Sequence, residues 1–206
     1  MPKRQQIDTI NTRLVLATGN QGKLKELQSL LTESQIEIAT LRDFPDLTMP
    51  EETGLTFVEN ARLKARAVVA ATGCWALSDD SDLVVEALAG APGVHSARYA
   101  GPQASDSENN QKLLQALAGL PDDQRGAAFV CVLILASPDQ YEYIFTGECR
   151  GRIAREAVGS QGFGYDPVFL PAPDYSYSMA QLSPEEKSAI SHRGQALNQL
   201  KLRLNP

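Results

Sequence analysis

Cys74-Trp75-Ala76-Leu77-Ser78-Asp79-Asp80-Ser81-Asp82-Leu83-Val84-Val85 decides how the rest of the chain is read. A short apolar run enters, three carboxylates and two hydroxyls follow, and a second apolar run leaves. The entering run reads as a buried strand, which puts the acidic stretch at the strand's mouth. Adjacent side chains on a strand point to opposite faces, so Asp79 and Asp80 are expected to do different jobs. One can face a bound cation while the other holds the loop. Hard carboxylate oxygens suit Mg²⁺, which takes one or two carboxylates plus substrate phosphates. A polar turn whose Asp and Ser side chains bond their own backbone would show the same letters. Alone, the stretch favours the turn; the case for chemistry rests on what other segments bring to it.

Upstream, Leu14-Val15-Leu16-Ala17 reads as a first buried strand, Thr18 to Lys23 as a turn, and Leu24, Leu27, Leu30 and Leu31 as one face of a helix. Strand, glycine-containing turn and helix aim backbone N–H groups at an anion, and Lys23 adds a full positive charge. The P-loop pattern fails, because Ala17 and Leu24 stand where it needs Gly and Ser or Thr. The turn therefore supports a phosphate cradle and an ordinary connection equally. A second strand, Ile36 to Ala39, leads through a proline-bearing loop to Glu51-Glu52. Thr56-x-x-Glu59 is a capping box whose helix runs through Ala61, Ala65 and Val68 to Thr72, with Gly73 as its stop. Glu59 is used by the cap. Glu51 and Glu52 precede the helix, where its dipole alone would favour them.

Downstream, His95 has no neighbour that marks it as a ligand or base. Ser105-x-x-Glu108 caps a helix with Leu113, Leu114 and Leu117 on one face. Ala128 to Ala136 reads as a central strand, turned by residues 137–140 into Tyr141–Arg150 as an antiparallel pair. Residues 159–167 are dense in glycine. Phe163, between two glycines, can offer its face to a flat ring; equally, Phe163 and Tyr165 can plug the core. Ser183-Pro184-Glu185-Glu186 opens a helix carrying Lys187, and Ser191-His192-Arg193-Gly194 precedes a C-terminal helix with Leu197, Leu200 and Leu204 on one face.

Composition bounds the classes. The 206 residues are 43% hydrophobic and 21% charged, with a net charge of −6 and a pI of about 5.0. That is ordinary for a globular protein and argues against a general nucleic-acid binder. Cys74, Cys131 and Cys149 are odd in number, far apart and without metal-ligand spacing, so free thiols in a reducing compartment are expected. No signal-peptide region or bilayer-length apolar run is present, so a cytoplasmic location and no membrane are expected. Residues 1–12 read as a loose extension and 13–206 as one domain. The loops near 90–105 and 159–180 are where two lobes would part around a cleft.

Taken together, six segments resemble the inosine-triphosphatase-like family of noncanonical purine nucleoside triphosphate pyrophosphatases. They are residues 17–23, 51–57, 79–81, 93–101, 162–167 and 186–193, in the family's order. The resemblance implies an α/β fold, two-lobed around an elongated mixed β-sheet with flanking helices and an active-site cleft between the lobes. It implies a Mg²⁺-dependent homodimer that cleaves dITP, ITP and XTP to the monophosphate and pyrophosphate. Carried over by motif, Thr18, Gly19, Asn20, Gln21, Gly22 and Lys23 hold the triphosphate. Asp80 resembles the proton acceptor and a metal ligand, and Ser81 a substrate contact. Glu51 or Glu52 resembles a second metal ligand. Phe163, Gly164, Tyr165, Asp166, Lys187, His192 and Arg193 resemble the base and phosphate pocket. Two positions depart from the bacterial pattern: Asp82 stands where Gly is usual, and His95 where Tyr is usual. The bottom-up alternatives are a pyrophosphatase for modified pyrimidine triphosphates and a nucleotide-binding module without turnover.

Overall fold

Leu14, Val15, Leu16 and Ala17 are all fully buried, as a strand covered on both faces requires. They form β1 (Leu14–Ala17), which runs parallel to β2 (Ile38–Thr40) on one side and to β3 (Trp75–Val85) on the other. The structure, a computed structural model, describes residues 13–31 and 36–204, so the reading of residues 1–12 lies outside the described residues. Between β1 and β2 runs α1 (Gln21–Leu31), burying Leu24, Leu27 and Leu31. Between β2 and β3 runs α2 (Phe57–Thr72). Its ends follow the sequence signals: Thr56 Oγ1 accepts the Glu59 N–H at 3.2 Å, and Gly73 closes it at φ 64°.

The second half supplies α3 (Asp106–Ala116), β4 (Gly126–Ala136), β5 (Glu142–Ile153), β6 (Phe169–Pro171), α4 (Pro184–Ile190) and α5 (His192–Leu204). The sheet order is β2-β1-β3-β4-β5-β6. β5 and β6 are antiparallel. β4 and β5 are neighbours joined by a tight turn, in which the Ser137 N–H donates to the Tyr141 carbonyl at 2.9 Å. A parallel pair would need a crossover of about a dozen residues, so they too run antiparallel. This is the mixed α/β sheet the sequence implied. Among the described residues, no helix is long and apolar enough to cross a membrane.

The chain divides into two units. The first takes the described part of Met1–Asp80 with Val132–Phe145 and the described part of Ala196–Pro206. Its core includes Val15, Ala17, Ala39, Val68 and Ala76, with Ala61 and Ala65 packed on Val132, Ile134 and Ala136. The second takes Ser81–Cys131 and Thr146–Gln195, around Leu83, Val85, Leu113, Phe129, Val168 and Phe169.

The structure corrects the sequence reading locally. The acidic stretch is not a turn at a strand's mouth: β3 continues through it, and Ser78, Asp79, Asp80 and Ser81 are buried in mid-strand. α1 begins at Gln21 and α5 at His192, so residues read as turn belong to first helical turns. β6 was not foreseen; three residues are too few to show a period.

Candidate active site

Strand alternation separates the two central carboxylates. Asp79 Oδ1 lies 2.9 Å from the ammonium of Lys23 on α1, and the Asp79 side chain is fully buried. Asp80 turns the other way. Its Oδ1 accepts from Lys64 Nζ on α2 at 2.9 Å, on the face where Ser78 Oγ donates to the Ala61 carbonyl at 2.7 Å. The same Lys64 ammonium lies 2.9 Å from Glu52 Oε1. Glu52 is held there by the start of α2. Asn60 Oδ1 accepts the Gly54 N–H at 2.7 Å, and Glu59 Oε2 accepts the Leu55 N–H at 2.8 Å. Gly54 must lack a side chain, since a Cβ there would lie 2.6 Å from Asn60 Oδ1. Glu51, one residue earlier, is exposed and pairs with neither lysine. Of the acidic pair left open by the sequence, Glu52 is therefore the one brought to Asp80.

Burial pushes the Asp80 carboxyl above its ordinary acidity range; Lys64 and then Lys23 oppose the rise, and Glu52 adds to it. Asp80 Oδ2 is buried and has no hydrogen-bond partner among the described residues. A buried carboxylate oxygen without a hydrogen-bond partner among the described residues, near a partly exposed second carboxylate, is a donor set a hard divalent cation fits. Among the described residues no cluster of three or more His, Cys, Asp or Glu could hold a metal.

At the start of α1, Asn20 is the cap: its Oδ1 accepts the Lys23 N–H at 3.1 Å, while Thr18 Oγ1 accepts the Asn20 N–H at 3.3 Å. Gln21 Oε1 accepts from Arg42 Nη2 at 2.9 Å. Residues 18–23 thus present an eleven-residue helix by its positive end, with Lys23 beside it.

In the second unit, Arg193 Nη2 donates to Ser81 Oγ at 3.2 Å, and its guanidinium carbon lies 5.8 Å from the centre of the Phe163 ring. Lys187 Nζ lies 4.8 Å from the same ring centre and 2.6 Å from Asp166 Oδ2. Phe163 is half-buried, so it is not a core plug. Tyr165 is: it is 4% exposed and its hydroxyl donates to the Ser96 carbonyl at 2.9 Å. Burial, with the charge of Asp82 next, lifts that hydroxyl far above its ordinary range. This places Asp82 near Tyr165. Asp166 Oδ2 also accepts the Phe163 N–H at 2.8 Å, so Asp166 shapes the loop rather than facing outward. His192 is buried with its ring stacked on Phe129, 4.9 Å between centres and 11° between planes. His95 is exposed beside Arg98.

Lys64 was missed in the sequence. The available signal was its place in the stripe Ala61-Lys64-Ala65-Val68, where a lysine among buried alanines needs a partner.

Residues 14–203 match the Ham1 family. A dITP/XTP pyrophosphatase from Shigella flexneri is 51% identical over 190 residues, covering 91% of this chain and 95% of its own. Another from Listeria monocytogenes is 47% identical over 189 residues, covering 92% and 93%. The solved structure of a HAM1 protein from Coxiella burnetii is 47% identical and superposes with a TM-score of 0.85, covering 93% of this chain and 98% of that one.

Proposed function

The chain belongs to the Ham1 family, and on that premise we propose that it hydrolyses dITP, ITP and XTP to the monophosphate and pyrophosphate, clearing noncanonical purines from the nucleotide pool. The observation that carries the reading is Asp80: a buried carboxylate with one oxygen on the Lys64 ammonium and the other unbonded among the described residues, next in sequence to the Lys23–Asp79 pair. Water attacks the α-phosphorus and pyrophosphate leaves. The chemistry needs positioning and charge neutralisation more than covalent help. Lys23 and the first turn of α1 take phosphate charge. Asp80 accepts the proton of the attacking water; a pKa raised by burial makes it a better base near neutral pH than an exposed aspartate. Lys64 holds that carboxylate in place. Asp80 with Glu52 would hold Mg²⁺, which when bound supplies the remaining neutralisation of phosphate oxygens.

The base is assigned to the second unit's set. Hypoxanthine and xanthine carry a 6-oxo acceptor where adenine carries a 6-amino donor, and the guanidinium of Arg193 suits the former. A mispaired polar group in a desolvated site discriminates by about 10⁴-fold or more. Phe163 is the stacking surface. Ser81, held by Arg193, and Lys187, held by Asp166, support that set. We assign the activity to residues 13–206 as one catalytic domain, working as a cytoplasmic homodimer with no nucleic-acid partner.

The test is pyrophosphate release from dITP, ITP, XTP, GTP, ATP and modified pyrimidine triphosphates, with and without Mg²⁺. Monophosphate and pyrophosphate in equal amounts from the 6-oxo purines are expected only with the metal. Orthophosphate as the product, or binding without turnover, would overturn the proposal. Asp80→Asn should lower the rate about 10²–10⁴-fold or more at saturating Mg²⁺. Turnover near that of the unsubstituted enzyme would remove Asp80 from the base role.

A further inference from the structure

We infer that Asp106 and Asn110, one turn apart on α3, are positioning residues that hold the base-facing loop through both backbone polar groups of Gly164. The inference rests on the reading of Phe163 as the surface that stacks on the purine. The Gly164 N–H donates to Asp106 Oδ2 at 2.6 Å, and its carbonyl accepts from Asn110 Nδ2 at 3.0 Å. Residues four apart lie on one helix face, so a single rigid helix grips both sides of one residue. That residue needs the grip: Gly162 and Gly164 adopt left-handed φ of 76° and 61° on either side of Phe163. A glycine-flanked aromatic that is not buried would otherwise sample many orientations. The flanking residues are also pinned, Phe163 by its N–H to Asp166 Oδ2 at 2.8 Å and Tyr165 by its hydroxyl to Ser96 at 2.9 Å. The α3 bonds close the gap between them.

Stability does not account for Asn110. It is 6% exposed, and its Oδ1 is buried with no hydrogen-bond partner among the described residues. Burying an amide for one bond to a half-buried carbonyl, with its own acceptor unused, is a poor trade against an apolar side chain of the same shape. Neighbouring Asn109 shows the contrast. Its Oδ1 accepts the Ala100 N–H at 2.7 Å and its Nδ2 donates to the Ala97 carbonyl at 3.3 Å, so both ends are used. What Asn110 provides is a fixed Gly164, and with it a Phe163 ordered before the base arrives. Ordering that precedes binding lowers KM more than it changes kcat.

Three variants test this with dITP: Asn110→Leu, which keeps a branched shape and drops the donor; Asp106→Leu, which drops the acceptor; and Asp106→Asn, which keeps an acceptor oxygen. The two leucine variants are expected to raise KM roughly tenfold with kcat within about threefold, while Asp106→Asn stays near the unsubstituted value. The melting temperature of Asn110→Leu should not fall, because it removes a buried unmade acceptor. Independently of turnover, the Gly164 amide should exchange with solvent faster in both leucine variants by NMR, with the β4 amides still protected. Unchanged KM and Gly164 exchange in the leucine variants would overturn the inference, as would a loss of β4 protection that tracks the KM change. If the unsubstituted enzyme does not turn over dITP, the functional proposal falls, while Gly164 exchange still reports on the grip.

Discussion

Replacing Lys64 by Met keeps the stem in the α2 stripe and removes only the ammonium. Nζ stands 2.9 Å from both Glu52 Oε1 and Asp80 Oδ1, so those oxygens are at most twice that distance apart. Without the cation between them, two unit charges about 6 Å apart at an effective dielectric of ~20 repel by about 3 kcal/mol. The Glu52 side chain is 34% exposed, and solvent screening reduces the figure to roughly half. Asp80 also loses its direct partner, and removing one member of a buried pair costs about 3–5 kcal/mol. The variant should therefore be about 3 kcal/mol or more less stable at mildly alkaline pH. The pH dependence has a definite sign. Burial already holds the folded-state Asp80 above its ordinary range, and losing Lys64, the largest opposing influence, moves it further up. A raised carboxyl destabilises fully above its folded value. As pH falls through that value toward the ordinary aspartate range, Asp80 takes up a proton and the deficit shrinks. Urea unfolding at about pH 8 and about pH 5 measures this: the gap between the two proteins should narrow at the lower pH. Mg²⁺ at the higher pH should stabilise the variant more than the parent, because no ammonium competes for the carboxylates. An equal deficit at both pH values, with an unaltered Mg²⁺ response, would refute Lys64 as the counterion of this pair.

Arg193→Ala should narrow the preference for ITP over ATP, measured as a ratio of kcat/KM; an unchanged ratio assigns discrimination elsewhere. Gly162→Ala should raise KM for ITP, because its Cβ would strike the Asp166 carboxylate at a φ of 76° and release Phe163 and Lys187 together; an unaltered KM would show that Asp166 does not shape the pocket. Arg125→Met should cost about 3 kcal/mol or more in urea unfolding while leaving kcat/KM of the folded enzyme alone. Arg125 is 2% exposed and its guanidinium donates to the carbonyls of Leu117, Ile153 and Ala154 at 2.6–2.7 Å; all three would lose that bond, and of them Leu117 keeps the Leu120 N–H.

What the sequence disclosed and what it hid follow from the range of the forces involved. The caps at Thr56, Ser105 and Ser183 were legible because each is settled within four residues. β1 and β4 were legible because strands buried on both faces must be apolar throughout. The course of β3 was not. Asp and Ser are depleted in strands and favoured in turns, so local propensity gave the wrong answer. The partners that make the strand possible come from elsewhere: Lys23 on α1, Lys64 on α2 and the Ala61 carbonyl. Glu51 and Glu52 could not be told apart because bonds from Asn60 and Glu59, on the next helix, set the loop. Phe163 and Tyr165 could not be told apart because the deciding acceptor, the Ser96 carbonyl, is 69 residues away. Asp106 and Asn110 looked like any polar face of a capped helix.

The places where local rules fail are the places where chemistry is assigned. Buried ion pairs are poor stabilisers, since desolvating the charges cancels most of their attraction, and apolar residues of similar volume often hold a fold better. Yet β3 buries Asp79 and Asp80 in succession, one against Lys23 and one against Lys64, beside a strand, β1, that is aliphatic and buried throughout. Lys23 comes from a helix that otherwise buries Leu24, Leu27 and Leu31, and Lys64 from one that otherwise buries Asn60, Ala61, Ala65 and Val68. A strand built only to close the sheet would carry Val or Ile at both positions. On the proposed reading, two opposed carboxylates there, each with its own ammonium and one with an oxygen that no described group bonds, serve a ligand that brings negative charge and a cation with it. A triphosphate is such a ligand.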